Sequence, residues 1–311
     1  MIIHRLSLTS TPIRLFFNDT ELAVGTGFFV NRGEEQFFVT AWHNLTGRHR
    51  WTGKCLRSDA SVPNLALIGV RYYSRISYST DQKLVDEKLL WIRVPLYGES
   101  NLPIWLVHSD PTINADVAVI PFSITGETPV DCAPIFVSPS KDEIGDMAYR
   151  VGSDIFILGY PFGVEPWPTW KRGTIASEPY LTESQQVPFL SIDTAIRQGL
   201  SGSPVYIYSS GSYENEDGIT RFPKEASTCH RFLGIYTGRR PTSSSDDAQI
   251  GIVWGRKIID MIISEGQPDC RSEDIQPKAF SVPTYNLPKP SDAGPYHPVT
   301  RKTTKVVHKD E

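Results

Sequence analysis

The sequence predicts an all-β protein built as two β-rich halves, followed by one short helix and a flexible tail. Three observations predict it. Short runs rich in Val, Ile, Phe, Tyr and Trp recur from the N-terminus to about residue 253, punctuated by Gly, Asn, Asp and Pro. The 23 glycines and 24 prolines are spread along the chain, which suits many short elements joined by turns. Only one stretch, near residue 260, spaces its apolar residues at helical rather than strand period.

In the first half, strands are expected at Ile13–Phe17, Val24–Val30, Gln36–Ala41, Ala66–Tyr73, Leu89–Val94, Ile104–His108 and Val117–Phe122. No helical stripe interrupts them, so an antiparallel sandwich or barrel is favoured over βαβ units. After a linker-like stretch at 138–150, a second series runs through Asp154–Gly159, Arg172–Ser177, Val187–Asp193, Pro204–Tyr208, Phe232–Tyr236 and Gln249–Val253. In Gly255–Gly266, Ile258, Met261, Ile262 and Ile263 fall mostly on one helical face, and Gly266 supplies a stop. The remainder, from Pro268, holds seven prolines, mixed charges and few large apolar residues, too few to order it. The organisation read from these shifts is 1–137, 138–267 and a disordered tail, 268–311, whose Arg301, Lys302 and Lys305 read as a solvated charge cluster.

A net charge of −4 gives no electrostatic footprint for nucleic acid. Cys55, Cys132, Cys229 and Cys270 are far apart and form no C-x-x-C pair. Neither a metal site nor a disulfide framework is expected, and free thiols suit a reducing compartment. His4, Arg5 and Arg14 break up any N-terminal apolar segment, and no run of ~18 apolar residues occurs. The expectation is a cytoplasmic protein with no membrane association. Oligomeric state cannot be read.

Three segments carry chemistry. In Gly25-Thr-Gly-Phe-Phe-Val and Phe37-Phe-Val-Thr-Ala-Trp-His43, a strand pair delivers a histidine at its end, with Asn44 and Gly47 in the loop beyond. The GTG lacks the third glycine and the helix of a dinucleotide site. In Asn114-Ala-Asp116-Val-Ala-Val-Ile, an aspartate stands directly before an apolar strand. In Gln198-Gly-Leu-Ser201-Gly-Ser-Pro-Val, two glycines flank a serine in a tight loop, where backbone N–H groups can converge on one point and stabilise an oxyanion. Each segment alone has an ordinary structural reading. Together they supply a nucleophile, a base and an orienting carboxylate. They follow one another as His43, Asp116 and Ser201, 73 and 85 residues apart. That chain order is the one found in chymotrypsin-type enzymes, whereas α/β-hydrolases run Ser, Asp, His and need G-x-S-x-G before a helix.

On these residues the sequence resembles the trypsin-like serine peptidases, nearest their HtrA-type branch. The blocks GTGFFV…FFVTAWHN, ADVAVI, FILGYPFG, KRGTIAS, SIDTAIRQGLSGSPV and FLGIYTG stand in the family's order, with an unmatched insertion over about 49–112. The resemblance implies two six-stranded antiparallel β-barrels of chymotrypsin type, the first (1–137) carrying His43 and Asp116 and the second (138–267) carrying Ser201. It implies Ser201 as nucleophile, His43 as general base then acid, and Asp116 as its orienter. The N–H groups of Gly199 and Ser201 would form the oxyanion hole, and the strand at Tyr236, Thr237 and Gly238 would pair with an extended protein or peptide substrate. The implied reaction is endopeptidase hydrolysis through an acyl-enzyme, with no cofactor or metal.

Some positions depart from the family pattern. Leu200 stands where secreted digestive enzymes carry an aspartate that pairs with a freed N-terminus, so activation by clipping is not expected. Ser203 replaces a glycine, and no PDZ-like region follows the protease region. Ala195 and Ile196, with no acid at the trypsin-type specificity position, favour a small or medium apolar side chain before the scissile bond. Arg197 and Arg239 offer the alternative of an acidic or polar one. The expected role is cleavage of dedicated intracellular targets. The alternatives are a catalytically silent barrel that binds peptides, and an ester hydrolase using the same constellation.

Overall fold

The computed structural model describes residues 4–74, 87–98, 101–125, 132–135, 137–163, 166–184, 188–195, 197–222, 228–239, 250–269 and 284–286. The first half contributes β1 (Ser10–Phe17), β2 (Thr20–Arg32), β3 (Glu35–Ala41), the one-turn helix α1 (Trp42–Thr46), β4 (Leu65–Ser74), β5 (Glu87–Pro95), β6 (Leu106–Val107), β7 (Val117–Thr125) and β8 (Cys132–Ile135). The second contributes β9 (Asp154–Gly159), β10 (Thr169–Ile175), α2 (Pro179–Glu183), β11 (Phe189–Asp193), β12 (Ser203–Ser210), a small hairpin of β13 (Tyr213–Glu214) and β14 (Thr220–Arg221), β15 (Thr228–Arg239), β16 (Ile250–Gly255) and α3 (Arg256–Glu265). The short strands β17 (Gln267–Pro268) and β18 (Thr284–Asn286) follow.

The second half closes into the expected six-stranded barrel, in the order β10-β11-β16-β15-β12-β9. The first half is a ten-stranded sheet. Its main path is β17-β6-β7-β3-β2-β1-β4-β5, with β8 added to β4 and β18 to β7, and among the described residues the ladder ends at β17 and β5. The stretch read as an insertion, 49–112, is not an appendage. It supplies β4, β5 and β6, and its Ile68, Val70, Ile92, Val94 and Trp105 are part of the first core.

Local chemistry fixes the hairpins. Phe17 pairs with Thr20 and Arg32 with Glu35, so each of these turns has two central residues. Asn18 (φ 53°) and Gly33 (φ 62°) supply the left-handed backbone that such turns need. Strands β3 and β7 are buried on both faces, which explains their unbroken apolar runs. Phe38, Ala118 and Ile120 point into the first core. Phe37, Val39, Val117 and Val119 point the other way, into a second core shared with Leu158, Phe232, Trp254 and the helix α3. The barrel interior, around Ile157, Ile192, Val205 and Val253, is a third core.

Helix α3 matches the expected span, but it buries Ile258, Ile259 and Ile262 while Met261 and Ile263 are only half-buried. At Gly266 the backbone turns extended (ψ 153°) and the helix stops, and a Cβ there would lie 2.3 Å from the Ile262 carbonyl oxygen. The stretch from Pro268, read as a disordered tail, begins with ordered contacts. Gln267–Pro268 pairs with β6, and Thr284–Asn286 lies parallel to β7. The cluster Arg301, Lys302 and Lys305 lies outside the described residues. Cys55 and Cys229 are free thiols. No helix among the described residues is long and apolar enough to cross a membrane.

Candidate active site

His43 sits in α1, immediately after β3, whereas the sequence reading put it at the strand's end with Asn44 and Gly47 in a loop beyond. The helix is a single turn, closed when the N–H of left-handed Gly47 donates to the His43 carbonyl oxygen at 2.9 Å. Strand β7 runs antiparallel to β3, with Ala41 opposite Val117, so Asp116 arrives beside the start of α1. Both Asp116 oxygens are then used on one residue. Oδ1 accepts the His43 backbone N–H at 3.0 Å, and Oδ2 lies 2.7 Å from His43 Nδ1. The Trp42 N–H donates to the Asp116 carbonyl oxygen at 3.2 Å. An ionised carboxylate only accepts hydrogen bonds, so Nδ1 carries a proton and Nε2 is left as the basic nitrogen. Burial lowers the His43 pKa, but the charge and hydrogen bond of Asp116 outweigh it, and the net shift is upward from 6.5.

Ser201 stands in the tight loop between Gln198 and β12. Gly199 and Gly202 both have φ 94°, a backbone that L side chains rarely adopt. Space excludes a side chain there as well. A Cβ on Gly199 would lie 2.4 Å from the Tyr160 carbonyl oxygen, and one on Gly202 would lie 1.8 Å from that of Thr26. Within the loop, the N–H groups of Leu200, Gly202 and Ser203 donate to Arg197, Tyr236 and Leu200 carbonyls at 3.4, 2.7 and 3.0 Å. The N–H groups of Gly199 and Ser201 have no acceptor among the described residues. The loop thus holds two unsatisfied donors beside the serine, the arrangement an oxyanion needs.

One residue that ties the serine loop to the first sheet was not singled out from sequence. Fully buried Thr26, on β2, donates its hydroxyl to the Gly199 carbonyl oxygen at 2.7 Å and accepts the Tyr160 N–H at 3.0 Å. Its own N–H donates to the Ser201 carbonyl oxygen at 2.9 Å, and its carbonyl accepts the Thr40 hydroxyl at 2.7 Å. Asn44, the residue after His43, donates its side-chain amide to the same Ser201 carbonyl at 3.0 Å. The flanking glycines make this possible, because a Cβ on Gly25 would meet the Asn44 amide at 2.6 Å and one on Gly27 would meet the Phe38 ring at 2.2 Å. The sequence shows only a threonine between two glycines in a strand, which names none of these partners.

Of the other expected positions, Tyr236, Thr237 and Gly238 lie on β15. Ser203, at the start of β12, pairs with Tyr236, so β15 outruns β12 at 237–239 while Gly238 and Arg239 pair with β16 on the far side. That leaves a strand edge beside the serine, and a Cβ on Gly238 would lie 3.9 Å from Ser201 Oγ. The Tyr236 side chain turns into the barrel core, so only its backbone faces this edge. Ala195 is half-buried before the loop, Arg197 and Arg239 are exposed, and Ile196 lies outside the described residues.

Among solved structures the chain is similar to the Rv3671c protease from M. tuberculosis in its active form. The two are 17% identical, with 89% of this chain and 86% of that one covered and a TM-score of 0.41. It is also similar to a serine endoprotease from Yersinia pestis, at 15% identity, 83% and 62% coverage and a TM-score of 0.41. The HtrA-type protease AlgW with tripeptide gives 14% identity, 83% and 60% coverage and a TM-score of 0.40. This chain therefore spans about three fifths of the length of the last two. No curated protein matches in sequence at a significant level. The family profile for the trypsin-like peptidase domain matches residues 25–212, which hold every site residue described above except those on β15. The chain belongs to the trypsin-like peptidase domain family, and is thus a serine endopeptidase, a hydrolase of peptide bonds.

Proposed function

We propose that His43, Asp116 and Ser201 are the catalytic triad of this peptidase, and that it cleaves dedicated intracellular protein targets. The observation that carries the assignment is the two-point hold of Asp116 on His43, through the backbone N–H at 3.0 Å and Nδ1 at 2.7 Å. It fixes both the ring's orientation and its tautomer, which is what a general base for a serine requires.

The reaction follows from these groups. His43 Nε2 takes the Ser201 hydroxyl proton as Oγ bonds to the scissile carbonyl carbon. The carbonyl π electrons move to the oxygen, and the Gly199 and Ser201 N–H groups stabilise that oxyanion. The imidazolium, paired with Asp116, gives its proton to the leaving nitrogen as the C–N bond breaks, leaving an acyl-enzyme. Water repeats the cycle and frees the acid. The acyl half of the substrate lies extended along the open edge at 237–239, an added strand beside β15. Ala195 favours a small or medium apolar side chain before the scissile bond. The boundaries that go with this reading are a His43- and Asp116-bearing unit over 1–137 and a Ser201-bearing unit over 138–267.

Labelling with a fluorophosphonate probe tests it. The wild-type chain is expected to label and Ser201→Ala is not. Equal labelling of both would move the nucleophile's role from Ser201 to another residue, and labelling of neither would leave a barrel that binds peptides without cutting them.

A further inference from the structure

One exposed aromatic side chain beside the serine loop has no part in the scheme above. Phe162 is 56% exposed, yet its backbone is held in the left-handed region at φ 57°, a conformation unfavourable for a non-glycine residue. The hold is specific. Its N–H donates to the Gln198 carbonyl oxygen at 2.9 Å, the residue before Gly199, and the Gly163 N–H donates to Tyr160 at 3.1 Å. Gly163 packs on Val24 of β2, with a Cβ there only 2.9 Å from the Val24 methyl, so the turn is fixed from the other half as well. A large apolar ring is thus presented to solvent by a strained turn tied to the serine loop.

Sheet order places that ring relative to the substrate. In the barrel, β12 has β15 on one flank and β9 on the other. The open edge at 237–239, where the acyl half would lie, belongs to the β15 flank, whereas Tyr160–Gly163 is the exit of β9. A peptide that crosses the serine loop from the β15 flank leaves it toward Phe162. We infer that Phe162 forms an apolar subsite for the leaving-group half of the substrate, selecting a large apolar side chain within the first two residues after the scissile bond. This rests on the assignment of Ser201 as nucleophile.

The test uses quenched fluorescent peptides that share one acyl half with Ala before the scissile bond and carry Leu, Phe, Ser or Glu at the first two positions after it. For the wild-type chain, kcat/KM with Leu or Phe is expected to exceed that with Ser by about tenfold, the discrimination expected of one exposed apolar contact. Phe162→Gly, which also relieves the left-handed backbone, should bring that ratio close to one, and Phe162→Tyr should keep it. Phe162→Lys should turn the preference toward Glu. Because each result is a ratio within one protein, partial loss of folded enzyme does not alter it. A wild-type ratio near one, or a ratio that survives Phe162→Gly, would overturn the subsite while fluorophosphonate labelling still upheld Ser201. Failure of the wild-type chain to label would overturn the nucleophile and the subsite with it.

Discussion

The Thr26 hydroxyl and the Gly199 carbonyl oxygen, 173 residues apart in the chain, meet in a buried hydrogen bond of 2.7 Å. The same hydroxyl accepts the Tyr160 N–H, so one side chain of the first sheet sets the orientation of two second-half loops around Ser201. Thr26→Val keeps the volume and removes both functions, stranding a buried carbonyl and a buried N–H. The expected cost is about 1–3 kcal/mol, read from urea midpoints, with a fall in kcat larger than any change in KM. Thr26→Ser should recover most of both. An unchanged kcat in the valine variant would show that the serine loop holds its shape without this tie.

The upward shift of the His43 pKa has a definite sign in activity and in stability. The general-base role proposed for His43 needs a neutral ring, so the acid limb of kcat/KM is expected above pH 6.5. The paired, protonated ring adds stability that is fully present below the unfolded value of 6.5 and is lost as pH rises through the higher folded-state value. Asp116→Asn removes the charge and the tautomer control. It should move the limb to lower pH and cut kcat by about 10⁴. A loss of only a few-fold would mean that another carboxylate orients the ring.

Two glycines with positive φ make a controlled pair. At Gly202 (φ 94°), Ala would bring Cβ within 1.8 Å of the Thr26 carbonyl oxygen, backbone that cannot move without breaking the seam. At Gly33 (φ 62°), in an exposed turn, nothing lies within 4 Å of the added atom. Gly33→Ala should cost only about 1 kcal/mol of backbone strain. Gly202→Ala should cost upward of ~3 kcal/mol or prevent folding of the serine loop. Circular-dichroism melts of the two variants check the contrast, and equal losses would contradict it.

What the sequence reveals here is what short-range chemistry encodes. His43 at a strand end, Asp116 before Val-Ala-Val-Ile and Ser201 between two glycines are each legible, because strand period and glycine conformation act over a few residues. Thr26 is not, since a threonine in a strand is ordinary and its partners at Tyr160 and Gly199 lie 134 and 173 residues away. The strands at 267–268 and 284–286 are too short to show any period, and their Pro-rich surroundings read as tail. Their order comes from pairing with β6 and β7, which no local pattern announces. The face of α3 is slightly misjudged for a similar reason. Ile259 and Met261 are both apolar, and only the packed neighbours decide which is covered.

Asp269, just past β17, ties that short strand to the half that carries His43. Its Oδ2 accepts the indole N–H of Trp42 at 2.7 Å and that of Trp105 at 3.0 Å, and both rings are buried in the first core. Trp42 is the residue before His43, and the Arg50 guanidinium covers its ring at 4.6 Å. Asp269→Ala would leave two buried N–H donors without their charged acceptor, an expected loss of roughly 2–4 kcal/mol. Asp269→Asn keeps an oxygen in place and should lose less than half of that. The loss should also loosen α1, so hydrogen exchange at the Gly47 amide, which closes that helix on His43, should quicken in the alanine variant more than exchange in the β12–β15 ladder. Equal acceleration in both regions would mean that Asp269 supports the fold as a whole and has no particular hold on the histidine.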